Sequence, residues 1–149
     1  MTIQEIKDTF QSVSLAHVEI KQFNYGETFD LPNGGNNEYP FSFLEIPYLE
    51  TFTNRRSKTL QFALNILIST APDDRVEDHQ AISDANTIGE AIITRIQTEN
   101  KELFFNGITA LSLREFSDDD CAGMRFEFII TTGREYCDAD SYVDVFKDC

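Results

Sequence analysis

Two stretches of this chain carry two different periodicities, and each belongs to a different kind of backbone. From Thr59 to Thr70, the residues Phe62, Leu64, Ile66 and Ile68 alternate with Gln61, Ala63, Asn65 and Ser69, so a strand puts the four large apolar side chains on one face. From Glu77 to Glu99, Ile82, Ala85, Ile88, Ile92 and Ile96 recur at spacings of three and four. On a helix they form one stripe, with Glu90, Arg95 and Gln97 left for water. At about 3.3 Å per residue in a strand and about 1.5 Å in a helix, the two segments have nearly matched lengths. A sheet covered on one face by a helix follows, and the other segments must fit around that pair.

Residues 2–14 set Ile3, Ile6, Phe10 and Val13 at helical spacing, which predicts a first amphipathic helix. Val18 to Tyr25 alternates as a strand does, with room for a bulge, and ends at Gly26. Residues 26–38, rich in Gly, Asn and Pro, read as an exposed loop. A strand is expected from Tyr39 to Ile46, with Pro40 tolerable only near an edge or a strand end, and 47–58 reads as a second exposed loop. Asp74, three residues before Glu77, is the expected N-cap of the long helix. Leu103–Phe105 and Ile108–Phe116 read as extended segments around an Asn106-Gly107 turn, followed by an acidic turn at Ser117–Asp120. Gly123 to Thr132 alternates most clearly of all, with Met124, Phe126, Phe128 and Ile130 on one side, and belongs beside the central strand. The order α-β-β-β-α-β-β implies an α+β domain over 1–133, with an antiparallel or mixed sheet of four to five strands and helices on one face. Residues 134–149 form an acidic tail in which Tyr136, Tyr142, Val143, Val145 and Phe146 are interleaved.

A chain of 149 residues with 41% hydrophobic side chains can bury a core without help from a disulfide or a metal. Twenty-six acidic residues against twelve basic ones give a net charge of -14, so a surface that grips phosphates would be built against the mean field. The three cysteines, Cys121, Cys137 and Cys149, are odd in number and lack C-x-x-C spacing, which argues against a secreted disulfide scaffold. With no basic-then-apolar start and no run of about twenty apolar residues, synthesis in a cytoplasm without membrane insertion is expected.

No constellation of the kind that chemistry needs stands out. His17 and His79 lack a second histidine or cysteine at ligand spacing. Asp138, Asp140 and Asp144 fall at the first, third and seventh places of a calcium loop, but Tyr142 holds the fifth and the sixth has no glycine. Gly34 and Gly35 lack a phosphate-loop context. No catalytic residue, cofactor or metal is therefore assigned. The dense basic cluster Asn54-Arg55-Arg56-Ser57-Lys58 has two readings: the solvated flank of a hairpin, or a docking patch for an acidic surface of another subunit.

Taken together, the starting helix, Tyr39-Pro40-Phe41-Ser42-Phe43-Leu44-Glu45 entering a strand, the strand-then-helix pair, and Asp120-Cys121-Ala122-Gly123-Met124-Arg125-Phe126-Glu127-Phe128 leading into the last strand resemble the tail-terminator and neck proteins of tailed bacteriophages. The resemblance covers most of residues 1–133 and implies a homo-oligomeric ring at the head-tail junction or the tail end. Neighbouring neck or tail proteins would flank it, and DNA would pass through its channel without sequence-specific contact. It implies synthesis in the bacterial host cytoplasm and incorporation into the virion. A ring needs a heterologous contact. Arg55, Arg56 and Lys58 on one side, with Asp138, Asp140 and Asp144 on the other, are the candidate interface. The alternative is a cytoplasmic α+β enzyme or small-ligand binding module with a pocket between the sheet and its loops.

Overall fold

The computed structural model describes residues 1–27, 37–71, 74–114 and 120–135. Among the described residues, two helices and six strands follow one another in the order α1 (Ile3–Ala16), β1 (Gln22–Gly26), β2 (Phe41–Glu45), β3 (Leu49–Phe52), β4 (Ser57–Ser69), α2 (Arg75–Glu99), β5 (Phe104–Arg114) and β6 (Cys121–Gly133). The strands form one mixed sheet in the order β1-β2-β4-β6-β5, with β3 also paired to β4. Only β1 and β2 run parallel; the other pairs are antiparallel. The α+β class and the place of the last strand beside the central one agree with the sequence. The sheet is larger than the four to five strands expected, because part of the supposed loop 47–58 is β3.

β4 and β6 pair along their whole lengths, Ser57 against Gly133 through to Ser69 against Cys121. Their even-numbered side chains, including Leu60, Phe62, Leu64, Ile66, Phe126, Phe128 and Ile130, are buried in one cluster with Ala85, Ile88, Ile92 and Ile96 of α2. Burying each large apolar side chain contributes roughly 1.5–3 kcal/mol. The apolar stripe read from the sequence therefore meets the strand face it was expected to cover, although Ile82 is only partly buried. Asp74 caps α2, its side chain accepting from the N–H groups of Val76 and Glu77.

α1 supplies the rest of that layer. Thr2 and Glu5 close a capping box at its start, and Ile6, Phe10 and Val13 are buried. The Phe10 ring stacks on Phe128 at 5.5 Å and meets the Phe62 ring edge-on at 5.7 Å, so one residue of α1 touches both central strands. Three expectations need correction. The first strand begins at Gln22, because α1 runs to Ala16 and Val18 lies in the following turn, 96% exposed. Asn106-Gly107 is not a turn: Phe105 pairs with Ile130 and Gly107 with Ile129, so Asn106 is the extra residue of a bulge within the single strand β5. The long strand does not pack on one face alone, since Ala63 and Asn65 on its other face are also fully buried. The expected acidic turn 117–120 lies outside the described residues except for Asp120, and the acidic tail does so beyond Glu135.

Candidate functional site

On the sheet face away from the helices, polar groups from three strands meet, the charged ones from β2 and β6 and a neutral amide from β4. Glu45 of β2 is buried and receives Arg125 of β6 as a two-pronged partner, Nε to Oε2 at 2.8 Å and Nη2 to Oε1 at 3.1 Å. Asn65 of β4 donates its Nδ2 to the same Oε2 at 2.8 Å, and Arg125 Nη1 donates to Glu127. The Glu45 hydrogen bond pushes the Arg125 guanidinium still further above the physiological range, against a smaller opposing effect of burial. Asn65 Oδ1 is buried without a hydrogen-bond partner.

Glu27, Glu45, Ile46, Tyr48, Arg125 and Glu127 line an open depression of about 420 Å³ at this network. Its size suits a small ligand, but its lining is dominated by charge rather than by the apolar surface of typical ligand pockets. Arg125 is already committed to carboxylates of its own chain. The arrangement ties β2 to β6 by charge and to β4 by the Asn65 hydrogen bond. Sequence alternation did place Arg125 and Glu127 on the outer face of the last strand, but no local signal linked them to Glu45, eighty residues away.

The basic cluster is split by the fold. Asn54 Oδ1 accepts from the N–H groups of Arg56 and Ser57 at 2.8 and 2.9 Å, which shapes the β3–β4 turn and leaves the Arg55 and Arg56 side chains exposed. Lys58 is buried instead, its Nζ 3.3 Å from Glu50 and 3.4 Å from Glu135. Its charge is met within its own chain, so it drops out of a docking patch and Arg55 and Arg56 remain. Arg134 joins the same corner, its guanidinium 4.5 Å from the centre of the Phe52 ring and its Nη1 donating to Asn54 O at 3.1 Å. Asp138, Asp140 and Asp144 lie outside the described residues, so their expected pairing with the arginines does too.

His17 sits at the end of α1, where its Nδ1 accepts from the Glu19 N–H at 3.1 Å, and His79 is exposed on α2. Cys121 is fully buried. Among the described residues no group of three potential ligands is placed to hold a metal ion, and no helix is long and apolar enough to cross a membrane. No family model matches the chain, and no curated protein is significantly similar to it.

Proposed function

We propose that the chain is a structural subunit that assembles with copies of itself into a ring, and that this ring belongs to a tailed-phage particle. The observation that carries self-assembly is the outer edge of β5. This eleven-residue strand ends the sheet among the described residues, and from Phe104 to Leu113 it contains no charged residue and no proline. Natural edges are ordinarily blunted by charge, proline or shortness, because their open N–H and C=O groups template pairing with another chain. Between Phe104 and Leu113, β5 has one bulge and none of those other guards. In a chain with a net charge of -14, such an edge is a surface kept for a partner.

The position in the particle, at the head-tail junction or the tail end, rests on the resemblance of the sequence to tail-terminator and neck proteins. So do synthesis in the host cytoplasm, incorporation into the virion, and contact with neighbouring neck or tail proteins. The charge fits a channel: an acidic lumen repels phosphates, so DNA passes without the counterion release that would hold it. Native mass and negative-stain images of purified protein test the reading. A closed ring with a central opening is expected; a monomer at every concentration overturns it. A second reading, a small-ligand binding module, has the depression at Glu45 and Arg125 in its favour, and a ligand seated there in a monomer would support it.

A further inference from the structure

We infer that Asn106 is a modification site, where the chain's own backbone converts the side-chain amide to a carboxylate through a cyclic imide. Asn-Gly is the pair that permits this closure most readily, because glycine carries no side chain to obstruct its own nitrogen. Two such pairs occur in the sequence, Asn33-Gly34 and Asn106-Gly107. The first lies outside the described residues; the second sits where a strand protects least. Phe105 pairs with Ile130 and Gly107 with Ile129, which leaves Asn106 without a partner in the ladder. Among the described residues β5 has β6 on one side and ends the sheet on the other. A residue held by ladder bonds on both flanks resists the backbone rotation that ring closure needs, whereas an unpaired one on an edge opens at little cost. Asn106 and Gly107 are both exposed, and apart from chain neighbours no atom lies within 4 Å of where a Cβ on Gly107 would be. The amide is tethered through its Nδ2, which donates to Thr131 Oγ1.

The Gly107 backbone nitrogen gives up its proton to hydroxide and attacks Asn106 Cγ. The new N–Cγ bond forms as Cγ–Nδ2 breaks, and the amide nitrogen leaves as ammonia with a proton taken from water. Water then opens the imide. Addition at Cγ gives aspartate; addition at the Asn106 main-chain carbonyl gives isoaspartate, with the backbone rerouted through the side chain. Either product puts a carboxylate on a stretch, Phe104 to Leu113, that has none, and isoaspartate also lengthens the main chain at the bulge. Charge and irregularity are the devices that keep natural edges from pairing. In a consequence that rests on the ring reading, a chain that waits unassembled therefore acquires the guard its edge lacks, and a chain already paired at that edge is shielded from the change.

The full chain is held for weeks in mildly alkaline buffer, at the lowest workable concentration and at one where it is assembled, and then cleaved after lysine and arginine. Residues 102–114 come out as one peptide in which Asn106 is the only asparagine, separate from Asn33. Its mass should rise by the difference between an acid and an amide, faster in the dilute sample and in proportion to hydroxide, with isoaspartate among the products. Gly107→Ala, for which the fold has room, should lose most of the shift, and Asn106→Gln, whose longer side chain closes the ring poorly, all of it. No shift at any concentration, or a shift as fast in Gly107→Ala, overturns the site. In sedimentation Asn106→Asp should move toward monomer while Asn106→Gln keeps the mass of the unaltered protein, with equal urea midpoints for the two. Full mass for Asn106→Asp, or a lower midpoint for it alone, overturns the effect on assembly and leaves the modification standing. A monomeric parent overturns the ring, and the peptide still reports the chemistry.

Discussion

Gly89 of α2 faces the ring of Phe126, and a methyl group added there would overlap that ring. At an uncrowded helix position, replacing glycine by alanine stabilises by about 1 kcal/mol. Forcing an extra carbon into a packed core costs about 1–3 kcal/mol, so crowding wins. Gly89→Ala should lower the urea midpoint, and adding Phe126→Leu should recover part of the loss; a stabilised Gly89→Ala protein would mean that helix and sheet separate at no cost. Arg125 is decided by burial. Its partner Glu45 is 4% exposed, and removing the cation from a buried pair costs roughly 3–5 kcal/mol. Arg125→Met should therefore destabilise by about 3 kcal/mol in denaturant unfolding. Combined with Glu45→Leu it should cost much less than the sum of the two single changes, since no uncompensated charge is then left behind.

At the scale of elements, the sequence was legible wherever one face of an element met one buried layer. Met124, Phe126, Phe128 and Ile130 alternate because the even side of β6 is covered, and α2 is striped because it lies on that side. The N-cap was legible for the same local reason: Asp74 acts on the next three residues, and Asp74→Ala should cost about 1 kcal/mol, read as a lower thermal midpoint with the helix content at room temperature unchanged. What failed was decided elsewhere in the chain. Asn106-Gly107 has the composition of a hairpin turn, but β6 offers an unbroken partner from Thr131 to Ala122, so the pair is absorbed as a bulge. Leu49 to Phe52 looks like loop because all four residues are exposed, and only pairing with β4 makes it a strand. The polar network at Glu45 was not legible at all, because its members meet only when β2, β4 and β6 align. The basic cluster was half legible: density of charge marks a corner, but not that Lys58 turns inward.

For the whole molecule, the balance of charge makes a claim that can be separated from ring formation. A protein that neutralises several phosphates loses affinity steeply as salt rises, so attraction to duplex DNA is strongest and easiest to detect at low salt. With twelve basic residues in the chain, of which Lys58 is buried and paired, few cations are available to build a phosphate-binding stripe against a net charge of -14. Fluorescence anisotropy of a labelled duplex titrated with assembled protein should show no binding even at about 0.05 M salt, where phosphate contacts would be strongest. A bound complex that dissolves as salt is added would reveal a basic lumen, and DNA could not then slide freely through it. Assembly itself should respond in the opposite sense. Copies carrying -14 each repel over distances that shrink to about 8 Å at 0.15 M salt, whereas an exposed ion pair across a contact contributes only about 0–1 kcal/mol. Repulsion is the larger of the two, so raising salt from low values should shift the mass distribution toward the closed ring while leaving DNA unbound throughout.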